Sequence, residues 1–119
     1  MDPRIQRATL YLESNIRQRL SLVTMARVAG MSPSYFRHKF KAELGVTPTI
    51  YLQSVRLKAA RALLADNGLS VKQVKAAVGI QSDSYFTHQV KNTFGQPPSR
   101  LRSDQNRMPT NLIDDQIAT

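Results

Sequence analysis

The chain has 119 residues, and its 17 lysines and arginines outnumber its eight aspartates and glutamates to give a formal charge of +9. This length suits one compact domain or two small ones that share a helix. The absence of cysteine excludes disulfides, thiolate zinc sites and cysteine catalysis. No apolar stretch approaches the roughly 18 residues that cross a bilayer, and the amphipathic N-terminus MDPRIQRATLYLESNI is not a secretory signal. These features fit a cytoplasmic protein.

Basic charge is concentrated in the first 102 residues, which hold sixteen basic residues and only five acidic ones. A helical domain with that surplus repels itself and is expected to bind a polyanion. Nucleic acid is the usual partner, and an anionic membrane surface is the alternative. On charge alone, a basic protein that binds no polyanion is a third alternative.

The chain begins with two segments of helical periodicity. Pro3 and the apolar residues after it predict a first helix, whose packing residues are Ile5, Ala8, Leu12 and Ile16. Ser21 then starts a second helix with the apolar stripe Leu22, Met25, Ala26 and Ala29. Gly30 stops this helix in the left-handed conformation.

A third helix follows after a short turn. Ser32 caps it, Pro33 occupies its first position, and Gly45 ends it. Its inner face consists of Phe36, Phe40 and Leu44. Two short helices joined by a turn that contains glycine match the helix-turn-helix pattern.

A longer central helix starts at Thr47-Pro48 and is predicted to stop at Asn67-Gly68. Its apolar residues lie on one face (Leu52, Val55, Ala59 and Leu63) and on others (Tyr51, Leu57, Ala60 and Leu64). Such a helix must be covered on several sides, as a helix shared by two small cores would be. Its roughly 18 residues span about 27 Å, which is compatible with contacts to adjacent major grooves about 34 Å apart.

The segment after the central helix repeats the segment before it. SYFRHKFKAELGVTP at 34–48 and SYFTHQVKNTFGQPP at 84–98 share seven identities in fifteen positions. Equivalent residues of the two copies lie 50 positions apart in these segments and 49 positions apart in the helix before them. The second copy therefore has one extra residue between Gly79 and its SYF motif. Its first helix starts at a capping box of Ser70 and Gln73. Its second helix runs from Ser82 to Gly95 with the inner face Tyr85, Phe86, Val90 and Phe94.

These elements predict an all-α fold of two helix-turn-helix subdomains joined by a linker helix. The first subdomain is assigned to residues 1–46, the linker helix to 47–67 and the second subdomain to 68–102. The remaining residues, 103–119, are polar and are predicted to form a mostly disordered tail.

The pattern LSLxxMAxxAGMSPSYFxxxFKxxxGxTPxxYLxxxRLxxAxxLL at 20–64 resembles the DNA-binding domain of the AraC/XylS family of bacterial transcriptional regulators. The second unit, LSVxxVxxxVGIQSDSYFxxxxKxxFGxPPSxLR at 69–102, resembles that family's C-terminal signature. The resemblance covers about residues 5–102. It implies seven helices, a linking helix at about 48–65, recognition helices at about Pro33–Leu44 and Asp83–Phe94, and transcription activation. The chain departs from the pattern at Lys75, where the family usually has a small alanine.

Polar residues outside the apolar stripes of the two recognition helices are the candidate DNA contacts. The candidate base contacts are Ser34, Arg37, His38, Asp83, Ser84, Thr87 and His88. The candidate phosphate contacts are Lys39, Lys41, Lys91 and Arg100. Arg37 can donate two hydrogen bonds to a guanine edge, whereas Asp83 is better suited to supporting the helix start. The second recognition helix has fewer side chains that can form two hydrogen bonds with one base. We therefore predict that the first unit supplies more of the sequence specificity.

Other function classes have less support. The chain has no phosphate-binding glycine motif, and its two histidines lie fifty residues apart at equivalent repeat positions, so we predict no catalytic residue, metal or cofactor. RNA binding commonly uses exposed aromatic side chains, and the aromatic residues here follow inward spacing. A module that binds polymerase without DNA is a third alternative.

Two units in one chain make a monomer sufficient for binding double-stranded DNA. RNA polymerase is a second candidate partner, and no membrane partner is expected. Because Met1-Asp2-Pro3 lies almost directly on the first helix, we favour a domain excised from a larger regulator over a stand-alone protein. A sensor domain in such a regulator would provide a route to dimers.

Overall fold

The computed structural model describes residues 1–65 and 68–101, and every regular element in these ranges is a helix. The helices are, in chain order, α1 (Pro3–Ser14), α2 (Leu22–Ala29), α3 (Pro33–Leu44), α4 (Pro48–Leu64), α5 (Val71–Ala77) and α6 (Asp83–Phe94). A seventh helix, α7, begins at Pro98 and is described as far as Leu101. The predicted all-α fold with seven helices is therefore confirmed. None of the described helices is long and apolar enough to span a membrane.

The predicted serine caps are formed, and α2, α3 and α6 end at the predicted glycines, whereas the C-cap of α5 is Val78, one residue before Gly79. In α2, α3, α5 and α6 a serine side chain accepts a hydrogen bond from a backbone N–H of the first turn; the serines are Ser21, Ser32, Ser70 and Ser82. The capping box of Ser70 and Gln73 is formed on both sides. In the turns of the two helix-turn-helix pairs, Gly30 and Gly79 have φ values of 70° and 79°, which glycine adopts without a Cβ clash.

The chain divides into two compact units, and the boundary falls inside α4. The first unit ends at Arg56 and the second begins at Leu57. The first unit therefore contains the helix-turn-helix pair α2–α3, and the second contains the pair α5–α6.

The core of the first unit is formed by α1, α2, α3 and the start of α4. Its buried members are Ile5, Ala8, Leu12, Met25, Ala26, Ala29, Phe36, Phe40 and Leu52. The ring centroids of Phe36 and Phe40 lie 5.5 Å apart, and the Tyr51 ring meets Phe40 edge-on at 5.4 Å. These tilted and edge-on arrangements are the ones that aromatic quadrupoles favour. They fix α3 against the start of α4.

Two polar contacts connect α4 to the region of α1 within the first unit. The Tyr51 hydroxyl donates a hydrogen bond of 2.6 Å to Glu13, which raises the pKa of Tyr51 to about 12 with help from burial. The Arg56 guanidinium donates to the backbone carbonyls of Ile16 and Gln18 at 3.1 and 2.8 Å. These bonds satisfy carbonyls of the loop that follows α1.

The core of the second unit is built from the second half of α4 together with α5, α6 and α7. Its buried residues are Leu57, Ala60, Leu64, Val74, Val78, Ile80, Phe86, Val90 and Leu101. The Arg61 guanidinium lies 5.1 Å from the centroid of the Phe94 ring, a cation–π contact at the end of α6.

The structure corrects two predicted details. Because α1 ends at Ser14, Ile16 packs against the first core from the loop and not from the helix. The second correction concerns the end of α4, which was predicted at Asn67-Gly68 and lies at Leu64. The predicted faces of α4 are buried to different degrees, since Val55, Ala59 and Leu63 are only partly buried. The buried residues of α4 are Leu52, Leu57, Ala60 and Leu64. A helix that serves a different unit on either side of Arg56 does not keep one apolar stripe along its length.

Asn67 of the predicted helix stop and the predicted tail at 103–119 lie outside the described residues.

Candidate nucleic-acid interface

The first recognition helix, α3, is held by local signals at its ends and by aromatic packing on its inner side. Ser32 accepts a hydrogen bond of 3.3 Å from the Tyr35 N–H, and Pro33 occupies the first position. Phe36 and Phe40 are fully buried. Because side chains three and four apart share a helix face, this packing turns the opposite side of α3 toward solvent.

The outer face of α3, which we define as Ser34, Arg37, His38 and Lys41, contains four of the predicted contacts. All four side chains are exposed, and none of them makes a hydrogen bond or an ion pair within the part of the chain that the structure describes. The face therefore presents free donors and positive charge. Such a set suits a groove lined by base acceptors and phosphates.

Lys39 differs from its neighbours on α3. Its ammonium lies 3.3 Å from a Glu43 carboxylate oxygen, and its side chain is only 33% exposed. The other oxygen of Glu43 accepts a hydrogen bond of 3.0 Å from the Asp2 N–H. Glu43 thus connects α3 to the start of α1, and any phosphate contact by Lys39 must compete with its ion pair to Glu43.

The second recognition helix, α6, repeats the arrangement of α3. Ser82 accepts a hydrogen bond of 3.1 Å from the Tyr85 N–H, while Phe86 and Val90 are buried. The outer face of α6, defined as Ser84, Thr87, His88 and Lys91, is exposed. This face has fewer charged donors than the outer face of α3.

The two equivalent histidines are exposed, so neither serves as a core residue. His88 Nε2 lies 3.0 Å from Asn92 Nδ2, which orients the ring along α6. Position 42, the equivalent of 92 in the first copy, is alanine, which cannot hold His38 in the same way. Arg100, the remaining predicted phosphate contact, is exposed on α7.

Asp83, a predicted base contact, is the first residue of α6 and is bound by Lys75. The two side chains form an ion pair of 2.9 Å, in which the Asp83 side chain is 88% exposed and the Lys75 side chain 13%. The hydrogen bond from Lys75 lowers the pKa of Asp83, and the charges of Lys75 and Lys72 add to this effect. The carboxylate of Asp83 therefore stays ionised at neutral pH, with one oxygen occupied.

The acidic residues of the described chain are all engaged. The pairs are Asp2–Arg4, Glu13–Tyr51, Glu43–Lys39 and Asp83–Lys75. The outer face of α3 contains no carboxylate, and its cations are therefore not neutralised locally. An electrostatic attraction for a polyanion follows from this arrangement.

Two residues of this region were not assigned a role from the sequence. Tyr35 is 45% exposed next to Ser34, whereas its equivalent Tyr85 is partly buried. Identity between the copies could not indicate this difference, because the copies share the same SYF motif. The role of Lys75 was signalled only by its departure from alanine.

These features define a protein with two helix-turn-helix units, and comparisons with known proteins agree. The family model described as a helix-turn-helix domain matches residues 25–104. The chain is similar to the bifunctional transcriptional activator/DNA repair enzyme AdaA of Bacillus subtilis, with 32% identity over 79% of this chain and 44% of AdaA. It thus spans less than half the length of this relative.

Solved structures show the same architecture. A transcriptional regulator with an AraC-type DNA-binding domain from Chromobacterium violaceum superposes with a TM-score of 0.79 at 30% identity, covering 88% of this chain and 94% of that chain. The DNA-binding domain of AdpA, solved with a target DNA, has a TM-score of 0.81 at 22% identity, covering 85% and 91%; this second likeness is one of fold alone. The chain belongs to the AraC-type family of helix-turn-helix regulators.

Proposed function

We propose that this chain is the DNA-binding domain of a bacterial transcriptional regulator and that it binds double-stranded DNA with sequence specificity. The observation that carries the proposal is the outer face of α3, where Arg37, His38 and Lys41 are exposed and unpaired among the described residues. An exposed arginine on a capped recognition helix can donate two hydrogen bonds to guanine O6 and N7. Family membership supports the same function.

The two recognition helices have different parts in this proposal. Arg37, Ser34 and His38 contact bases from α3, whereas α6 offers the smaller, more adaptable side chains Ser84 and Thr87, with His88 beside them. Lys41 and Lys91 lie in the last turns of their helices, where they contact phosphates, as does Arg100. The first unit supplies the larger share of base discrimination.

One chain places its two recognition helices in adjacent major grooves, so that a monomer is sufficient for binding. The duplication supports this arrangement, because α3 and α6 have the same length of 12 residues and are capped and ended alike. Half-sites in adjacent grooves are separated by about 10 base pairs. The bound site is therefore asymmetric and covers about 20 base pairs.

The output of binding is transcription activation in the bacterial cytoplasm, with RNA polymerase as the protein partner. The similarity to AdaA, a transcriptional activator, supports this direction. AdaA is also described as a DNA repair enzyme, but this chain matches 44% of it, and we propose no catalysis for the residues matched. A sensor domain in the whole regulator would control the output.

The burial of the aromatic residues favours duplex DNA over single-stranded RNA. Phe36, Phe40 and Phe86 are at most 1% exposed, so they cannot stack on unpaired bases. Competition between duplex DNA and single-stranded RNA for the chain would separate the two ligands.

The test of the proposed function is selection of bound sites from a random duplex library, followed by a salt titration on the enriched site. We expect an asymmetric site of about 20 base pairs, with the logarithm of the affinity falling linearly against the logarithm of salt concentration. Salt-sensitive binding without any enriched site would contradict sequence specificity. Preference for single-stranded RNA in the competition would contradict duplex binding.

A further inference from the structure

The two helix-turn-helix turns differ by one residue, and the hydrogen bonds locate it. The Met31 N–H donates to the Ala26 carbonyl in the first copy, and the Ile80 N–H donates to the Lys75 carbonyl at the equivalent place in the second. In the first copy the capping residue Ser32 follows Met31 directly. In the second copy Gln81 stands between Ile80 and the capping residue Ser82. Gln81 is therefore the inserted residue.

The residue that reaches Gln81 is also the one that departs from the repeat. Ala26 of the first copy is a core residue with 1% exposure, and its equivalent is Lys75. The Lys75 ammonium donates a hydrogen bond of 2.8 Å to the Gln81 carbonyl and lies 2.9 Å from the Asp83 carboxylate. The stem of Lys75 is covered while its charged end emerges at the turn, as long cationic side chains commonly arrange themselves.

We propose that Lys75 is a positioning residue, which compensates for the inserted Gln81 and fixes the orientation of α6 by binding both Gln81 and Asp83. We call this three-residue contact the Lys75 bridge. It connects the last turn of α5 to the residues on either side of the Ser82 cap. The proposal rests on the proposed function insofar as α6 contacts DNA.

An inserted residue adds two free backbone torsions to the turn, so α6 can tilt relative to α5 unless something restrains it. The Lys75 bridge restrains the added residue Gln81 and the start of α6 together, because the Gln81 carbonyl and the Asp83 side chain are held by the same ammonium. The first copy has the shorter turn and needs no such contact. Its position 26 is free to be a small core residue.

The bridge acts on geometry more than on stability. The Asp83 carboxylate is 88% exposed, and exposed ion pairs contribute little to the free energy of unfolding because water and salt screen them. The orientation of Ser84 and Thr87, however, follows the start of α6 directly. Loss of the bridge should therefore alter base discrimination by the second unit far more than it alters the fold.

The test measures binding of the full chain to its selected DNA site and to versions of that site with single base changes. The variants are Lys75→Met, Lys75→Arg and Asp83→Asn. Lys72→Met is the matched control, because Lys72 is an exposed lysine of the same helix whose substitution removes the same charge. The base positions that belong to the second unit are identified as those at which Thr87→Ala changes the preference.

We expect Lys75→Met to reduce discrimination at the positions of the second unit by about fivefold or more, without changing discrimination at those of the first unit. Lys75→Arg retains two donors for the same acceptors and should restore discrimination, and Asp83→Asn should lose part of it. If Lys75→Met weakens binding uniformly on all sites, as Lys72→Met does, then Lys75 is a phosphate contact and the positioning role is overturned.

A second measurement does not depend on DNA. Amide hydrogen exchange at Tyr85 and Phe86, whose N–H groups bond to Ser82, reports on opening of the first turn of α6. We expect Lys75→Met and Asp83→Asn to accelerate this exchange by about threefold or more, while the equivalent amides of Tyr35 and Phe36 stay unchanged. Unchanged exchange at Tyr85 and Phe86 in both variants would overturn the bridge.

The two readouts keep the proposals separate. If the wild-type chain selects no duplex site, the proposed function fails and the exchange rates alone decide the role of Lys75. If Lys75→Met does not fold, Asp83→Asn, which alters an exposed side chain, supplies both readouts.

Discussion

Arg37 is the exposed side chain whose removal should change base discrimination most. It lies in the middle of the outer face of α3 with no partner in the described part of the chain. A bidentate contact to guanine contributes about 1–3 kcal/mol, so Arg37→Ala should weaken binding to the selected site by roughly 5- to 150-fold. Affinities for the selected site and for its single-base variants measure this effect.

Two further variants define what the Arg37 result means. Arg7→Ala removes the same charge from an exposed position on α1 and should leave base preference unchanged. Thr87→Ala should cost less discrimination than Arg37→Ala, since threonine contributes fewer donors. A larger loss for Thr87→Ala would show that α6, and not α3, is the main source of specificity.

Tyr51 should titrate well above the ordinary pKa of a tyrosine. Its neutral phenol donates to Glu13, and its pKa is raised from 10.0 to about 12, first by this hydrogen bond and then by burial. Since the raised pKa belongs to the folded state, the bond stabilises the fold below pH 10. That contribution is lost as the pH rises from 10 toward 12. Phenolate absorbance against pH measures the late transition.

Glu13→Gln is the informative variant for this titration. It removes the negative charge and replaces the carboxylate acceptor by an amide, so the late transition should move toward pH 10. Tyr51→Phe should abolish the late transition. A late transition that persists in Tyr51→Phe would assign it to another tyrosine.

Contacts between residues close in the chain were easier to predict than contacts between distant ones. The serine caps and the glycine ends of α2, α3 and α6 depend on residues within one helical turn, and they were predicted correctly. Glu13 and Tyr51 lie 38 residues apart, and no periodicity indicates that they meet. The contacts of the Lys75 ammonium likewise depend on the conformation of the turn that contains the inserted residue.

At the level of the helix, α4 shows that hydrophobic periodicity does not determine which apolar residues of a shared helix are buried. Its apolar residues were predicted to lie on several faces, but the sequence did not show which of them each unit buries on either side of Arg56. Only the packing partners decide which leucine of such a helix is buried, and these partners lie elsewhere in the chain.

Leu57 and Leu63 test whether the apolar residues of α4 differ in burial as the structure shows. Leu57 is 6% exposed, so Leu57→Ala should lower the free energy of unfolding by about 2–5 kcal/mol. Leu63 is only partly buried, and Leu63→Ala should cost about 1 kcal/mol. Both substitutions change helix propensity equally, so denaturant unfolding isolates the effect of burial. Equal costs would contradict the difference in burial between Leu57 and Leu63.

Across the whole molecule, the distribution of charge predicts how binding responds to salt. Each phosphate neutralised by a lysine or arginine contributes about −0.9 to the slope of log affinity against log salt. Lys41→Ala and Lys91→Ala should each reduce the magnitude of the slope by about 1, and the double variant by about 2. Titrations at several salt concentrations measure these slopes.

Lys58→Ala is the control for the salt experiment, because Lys58 is exposed on α4 and outside both recognition helices. Its slope should equal that of the wild type. If all three single variants change the slope equally, the attraction arises from total charge and not from contacts at defined phosphates.

The matched ends of α3 and α6 have a consequence for engineering. Each helix has 12 residues, a serine N-cap and a glycine C-cap. The segment 33–44 can therefore replace the segment 83–94 without a change of either capping residue. The exchange is not symmetrical, however. Grafting 33–44 into the second unit replaces Asp83 by proline and leaves Lys75 with half of its partners. A segment that is to be exchanged in the second unit should therefore start at Lys75. It then contains α6 together with the turn that sets the orientation of α6.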